Sequence, residues 1–220
     1  MLGLLTMPTL AHAQLAGSVA LSSSEMFRGE TISNSDPTLT VGVSLDTSSG
    51  VYAGASASLA AGSRQPRFNA LVQYIGYAHR MGEVTAEFGL IHRSYAHIVD
   101  IGYRRGFFEG FAGLGFRGVK ARAYISPDYI IDGRNSYYVE LNARLLKMEK
   151  FQLEGHAGLS LIPYDLVDNR GGLRHYRDWR LQLTRPLGPV FVSLGVNATN
   201  YPVYSDSGRA RVFASVSHAF

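Results

Sequence analysis

Residues 137–145 read Tyr-Tyr-Val-Glu-Leu-Asn-Ala-Arg-Leu, and residues 190–199 read Val-Phe-Val-Ser-Leu-Gly-Val-Asn-Ala-Thr. In each stretch every second residue is apolar, and those between are mostly polar, charged or glycine. Successive side chains of a strand point to opposite faces, so each stretch is a strand with one apolar and one largely polar face. Working outward, the same period recurs at Leu39/Val41/Val43/Leu45, at Val51/Ala53/Ala55/Ala57/Leu59 and at Val119/Ala121/Ala123/Ile125. Twelve such segments follow one another: 15–24, 37–47, 50–60, 67–79, 83–94, 106–116, 118–126, 135–146, 151–162, 175–185, 189–200 and 209–220. No helical period is found after Ala13.

The connections alternate in length. Thr47-Ser48-Ser49, Arg80-Met81-Gly82, Arg117-Gly118, Lys147 to Lys150 and Pro186-Leu187-Gly188 are tight turns. The apolar parity switches across Arg117-Gly118, which places a turn there. Longer connections fall at 25–36, 61–66, 95–105, 127–134, 163–174 and 201–208. Short and long connections on opposite ends of one sheet are the pattern of an antiparallel meander. No linker or repeat interrupts it, so residues 14–220 read as a single domain.

Composition narrows the choice of setting. Of 220 residues 46% are apolar and 17% charged, and Gly reaches 24. No run of 18 apolar residues occurs, which excludes membrane-spanning helices. The 25 aromatics argue against disorder. Cysteine is absent, removing disulfides, thiolate metal sites and cysteine nucleophiles together. The net charge is +4, with no basic run that would bind nucleic acid. Residues 1–13 hold no charged side chain and end in Ala11-His12-Ala13, an A-x-A cleavage pattern, so they read as the remnant of a secretory signal.

A soluble sandwich or small barrel turns its apolar face inward, whereas an outer-membrane barrel turns it toward lipid and keeps a polar lumen. Here the polar faces mix Gly42, Gly54, Gly89, Gly113, Gly158 and Gly195 with charges and hydroxyls, which suits a crowded lumen. The apolar faces are rich in Ala and Val and carry aromatics at their ends. Phe68, Phe108, Tyr137 and Trp179 fall near the long-loop end, and Phe116, Phe151 and Phe220 near the short-turn end. Phe108 and Phe116 lie eight residues apart on one strand, roughly 20 Å at the usual rise and tilt. The expectation is an all-β, transmembrane, up-and-down antiparallel barrel of about twelve strands in a bacterial outer membrane, contacting its lipid through two aromatic girdles. The chain ends at Phe220 within the last strand, like the assembly signal of such barrels, so the barrel-assembly machinery is an expected partner.

At Met26-Phe27-Arg28-Gly29 the sequence begins to resemble the TorF family of porin-like barrels, a bacterial family without an established substrate. The resemblance continues through Asp36-Pro37, Gly50 to Gly54, Ser126-Pro127-Asp128-Tyr129, Tyr137-Tyr138-Val139-Glu140, Asp178-Trp179-Arg180-Leu181 and the closing Val216-Ser217-His218-Ala219-Phe220. It covers essentially the whole of residues 14–220, and departs at Glu25-Met26 and in 95–105. What it implies is a membrane barrel and a channel.

By parity the lumen receives Glu87, Glu109, Lys120, Arg122, Glu140, Arg144, Glu154, His156, Asp178, Arg180 and Arg211. Lys120 and Arg122 are expected to face Glu140 and Arg144 across one strand pair, where opposite charges stabilise each other by roughly 0.2–1 kcal/mol. A channel then has a constriction with a transverse field, passing small polar or anionic solutes. The alternative is a lumen filled by its own salt bridges, leaving a structural or adhesive barrel that works through its loops. Arg28, at the entry to the first long loop, is expected either at the pore mouth or as an anchor on a lumen carboxylate. No cofactor or metal is expected; Asp128, Asp132, Asp165 and Asp168 lack the spacing of a calcium loop. An enzyme is a lesser alternative. His92 and Ser94 point outward together, as in outer-membrane lipid hydrolases, but the nearest acid, Glu109, points inward and leaves a triad incomplete.

Overall fold

The alternation of 137–145 becomes one stave of a closed wall. The computed structural model describes residues 13–62, 65–96, 106–129, 133–164, 172–200 and 210–220. In chain order the strands are β1 (Gln14–Ser22), β2 (Met26–Phe27), β3 (Glu30–Thr31), β4 (Thr38–Asp46), β5 (Val51–Ala61), β6 (Pro66–Met81) and β7 (Val84–Tyr95), followed by β8 (Gly106–Phe116), β9 (Val119–Ser126), β10 (Ser136–Lys147), β11 (Gln152–Tyr164), β12 (Gly172–Leu187), β13 (Val190–Thr199) and β14 (Arg211–Ala219). β1 and β4 to β14 form a closed antiparallel barrel in which each strand pairs with its neighbours in sequence. Its twelve staves are the twelve alternating segments. β2 and β3 form a separate hairpin inside the first long connection.

Closure joins β1 to β14, with Leu21 opposite Val216 and Ser18 opposite Ala219. Beyond the last ladder pair, Gly17 and Phe220 exchange both backbone hydrogen bonds, at 2.7 and 2.9 Å. Among the described residues the barrel wall has no edge strand, so it satisfies its own backbone groups, as a membrane-spanning sheet must.

The faces divide by register. Leu39, Val41, Leu90, Phe88, Leu114, Leu141 and Leu194 are exposed on the outside, while Ser58, Asn69, Glu109, Asp178 and Asn197 are buried within. Relative to a soluble protein the pattern is inverted for aliphatic and charged groups: large aliphatics are exposed, while acids, amides and hydroxyls are hidden inside beside inward aromatics such as Phe107 and Tyr138. β12 extends beyond the alternation because Leu173 and Arg174 continue the ladder opposite Pro163 and Ile162. The turn at Arg117-Gly118 has φ of 44° and 85°, the left-handed pair that matches the twist of a two-residue hairpin. The signal remnant lies outside the described residues except for Ala13, as do Asp132, Asp165 and Asp168.

Candidate functional site: the barrel lumen

The Phe27-Arg28-Gly29 step is the tip of a hairpin folded into the barrel. Phe27 pairs with Glu30, leaving Arg28 and Gly29 as a two-residue turn with φ of 48° and 80°. Such turns need two left-handed residues, which favours Gly at one of them. Gly29 also lacks room for a side chain: a Cβ there would lie 2.7 Å from Thr199 Cβ and 2.9 Å from Asp178 Cβ. Asn197 Nδ2 donates to the Gly29 carbonyl at 2.9 Å, fastening the tip to β13.

Arg28 occupies the left-handed region at a cost of roughly 1–2 kcal/mol. Its guanidinium forms an ion pair with Glu109 on β8 and lies over the Tyr138 ring, 4.0 Å from the centroid. Burial pulls its pKa down, but the Glu109 carboxylate together with the Tyr129 and Tyr138 phenols raises it overall, so Arg28 stays charged. Glu109 also accepts from Arg93 Nε at 3.0 Å, and its side chain is 1% exposed. Arg28 is therefore the carboxylate anchor of the two expected placements, and lines a cavity while doing so.

The flanks of the hairpin are tied down too. Glu25 accepts from Ser58 Oγ and Asn69 Nδ2, each at 2.5 Å. The Phe27 ring packs against Tyr95, Phe107 and Tyr129, at centroid distances of 5.7 to 6.3 Å. Arg67 binds Asp36 at 2.8 Å and the Ser33 carbonyl at 3.0 Å. Partial burial pushes the Glu30 carboxyl up to about 7, against the opposing pull of Arg211.

The expected pairing of Lys120 and Arg122 needs correction. Arg122 does stand opposite Glu140 in register, but its guanidinium bonds Glu87 at 2.6 and 3.1 Å, and Lys120 Nζ meets the same carboxylate at 2.9 Å. The intervening strand is crossed at Gly113, where a Cβ would fall 2.8 Å from Arg122 Cγ and 2.9 Å from Glu87 Oε1. Pairing through a glycine gap wins over pairing with the adjacent strand because it lets one carboxylate take two cations. Glu140 instead accepts from Tyr124 Oη at 2.8 Å. Asn142 stands opposite Lys120, and Arg144 lies opposite Glu154 on β11.

Below the hairpin tip Asp178 and His156 bond at 2.8 Å, Tyr138 Oη donates to Asp178 at 3.2 Å, and His156 Nδ1 meets Asn142 Oδ1 at 2.8 Å. Two cavities lined by described residues lie along the lumen. One of about 310 Å³ is lined by Arg28, Tyr138, Glu140, Asn142, His156, Asp178 and Arg180 among others. The other, of about 160 Å³, is lined by Lys120, Asn142, Arg144, Glu154 and Arg180 among others. Arg211 stands opposite Asn197 on the inner face.

Inward aromatics escape a reading by charge. Ile91, Phe111, Tyr124 and Tyr138 form a buried cluster with Tyr52, Val72 and Tyr74 against it. A signal for them exists: Tyr74 stands opposite Gly54, Tyr52 opposite Gly76, Phe111 opposite Gly89 and Phe213 opposite Gly195. Inner-face glycines make room for rings from the neighbouring strand.

On the outside, Phe68, Phe108, Tyr137, Trp179, Phe116 and Phe220 are exposed. Phe151 sits half-buried in its turn with the Arg185 guanidinium 5.4 Å from its ring centroid. His92 and Ser94 share the outer face of β7; His92 Nδ1 contacts Gln73 Oε1 at 3.3 Å, and its ring packs against Phe108. Glu109 is on the other side of the wall, bound to two arginines.

Residues 8–219 match the model of a family described as a bacterial protein of unknown function (Gcw_chp). No curated protein matches the chain in sequence. Among solved structures the fold is similar to that of a KdgM porin, with TM-score 0.60 and 8% identity over 93% of this chain and 99% of that one. It is also similar to the COG4313 outer membrane channel from Pseudomonas putida F1, with TM-score 0.54 and 10% identity over 98% and 97% of the two chains. At such identities the likeness is one of fold.

Proposed function

The chain belongs to the Gcw_chp family of bacterial proteins of unknown function, so its function is read from its own residues, and we propose that it is a narrow outer-membrane diffusion pore for small polar and anionic solutes. The observation that carries this is a polar inner wall that keeps open cavities below the hairpin of β2 and β3. The short turns and both ends of the barrel domain face the periplasm, and the long loops face out. The outer aromatics meet lipid headgroups, and the β14 end at Phe220 meets the assembly machinery. The lumen charges named above line the solute path, and twelve strands make that path narrower than a sixteen-stranded porin. The likeness of fold to a porin and a channel, and the TorF-like motifs, support the same reading. The lipid-facing His92 and Ser94 are girdle residues, not a catalytic pair.

One observation favours a second reading. Phe27 and Arg28 fill the long-loop end of the lumen with packed rings and a buried ion pair, as a structural barrel with a permanent plug would. Planar-bilayer recording of purified protein decides between them: discrete conductance steps support the pore, and a silent bilayer despite repeated insertion supports the plug.

A further inference from the structure

Six inward residues fall on one register line across six neighbouring strands. Lys120 lies opposite Asn142, Asn142 opposite His156, His156 opposite Arg180, Arg180 opposite Asn197, and Asn197 opposite Arg211. This line carries cations, a histidine and amides, and no carboxylate. The next line toward the long loops holds Arg122, Glu140, Gly158, Asp178 and Thr199, and so carries the acids.

Most members of the basic line are already engaged. Lys120 bonds Glu87, His156 bonds Asp178, and Arg211 is drawn to Glu30. Arg180 differs: it is exposed to the lumen, and its guanidinium has no hydrogen bond or ion pair among the described residues. It lines both cavities, as Asn142 does. The smaller cavity adds Lys120 and Arg144, against the single carboxylate of Glu154, whose Oε1 already accepts from Gln152 Nε2 at 2.6 Å. Arg144 likewise has no side-chain partner among the described residues.

We propose that Arg180, with Arg144, Lys120 and Asn142 around it, forms a binding site for a small oxyanion, a carboxylate or a phosphate, in the lumen below the hairpin. A guanidinium offers paired N–H donors that match two oxygens of such a group. The cavity of about 160 Å³ has room for several waters or one small anion. Acids on the line above repel an anion that climbs toward the hairpin, which confines it to the basic line. The part this site plays in permeation rests on the pore reading; there it is the step that attracts an anion and releases it, as conduction requires.

The purified full-length barrel in detergent is titrated with inorganic phosphate and, separately, with acetate, following ³¹P and ¹³C line broadening. Wild type, Arg180→Gln, Arg180→Lys and Arg117→Gln are compared; Arg117 is an exposed turn cation paired with Glu83. Wild type and Arg117→Gln are expected to bind alike, Arg180→Gln at least tenfold more weakly, and Arg180→Lys between them, with circular dichroism unchanged. The stronger of the two anions assigns the ligand as phosphate or carboxylate. Absence of binding in the wild type, or equal binding by Arg180→Gln, overturns the site. If Arg180→Gln does not fold, Arg144→Gln takes its place with the same two outcomes. Bilayer conductance is recorded on the same samples. Arg180-dependent binding without conductance defeats the pore and leaves the site; conductance without anion binding defeats the site and leaves the pore.

Discussion

The guanidinium of Arg28 at the hairpin tip is ion-paired with Glu109 of β8, 81 residues further along the chain, and both side chains are buried. The pair sits between the hairpin and the wall, so the width of the lumen at its long-loop end depends on it. Arg93 shares the same carboxylate. Removing Glu109 leaves two cations without compensation, a loss of about 3–5 kcal/mol for a buried pair, whereas removing Arg28 leaves Glu109 paired and loses only the tie to the hairpin.

Arg28→Ala therefore releases the tip while leaving Glu109 with Arg93. It is expected to raise single-channel conductance and to flicker between levels, with the barrel still folded by its heat-modified shift on gels. Glu109→Ala strands two cations and is expected to do more harm, lowering the thermal midpoint by several degrees. Unchanged conductance in Arg28→Ala would mean that the hairpin does not limit the pore.

Gly29→Val adds a branched side chain where even a Cβ falls 2.7 Å from Thr199 and 2.9 Å from Asp178. The left-handed backbone adds its own penalty for a β-branched residue. The hairpin is expected to be expelled, with conductance rising as in Arg28→Ala. Protease accessibility of residues 25–31 in intact liposomes checks this, increasing in the variant and staying low in the wild type.

The Glu30 carboxyl, pushed up to about 7 by burial, gives the hairpin a pH dependence. Its folded pKa exceeds the ordinary value of 4.5, so the docked hairpin holds the extra proton between these limits. Its contribution to docking is complete below about pH 4.5 and is lost as pH rises through 7. Conductance at pH 8 is expected to exceed that at pH 5.5, and Glu30→Gln to remove the difference. A pH profile identical in wild type and variant would rule out this group.

Arg122→Ala frees the charge of Glu87, and Glu140→Ala removes a lumen acid. Reversal potentials in a KCl gradient are expected to shift toward cation preference in the first and toward anion preference in the second. Shifts of the same sign, or none, would place these residues off the ion path.

The twelve staves are legible in the sequence because period-two alternation in Leu, Val and Ala runs along the apolar outer face of the wall. Leu141 and Leu194 carry that signal. The β2–β3 hairpin is not legible as structure: two-residue strands have no period, and nothing local shows that the loop turns inward. Only the Arg28-Gly29 dipeptide marks the turn. The inner position of Arg122 follows from parity, whereas its partner does not, because the bond to Glu87 depends on the gap at Gly113 on a third strand. Parity identifies a face; which groups meet across it is set by side-chain length and by the empty places that glycines leave.

The central claim is that the lumen is a water path narrowed by the inserted hairpin. Planar-bilayer conductance of the wild type, beside a variant in which residues 26–31 are replaced by a short Gly-Ser link, tests it most directly. The expected result is a small discrete conductance in the wild type and a severalfold larger one in the variant. Equal conductance in the two, or silence in both with the barrels folded and inserted, would contradict it.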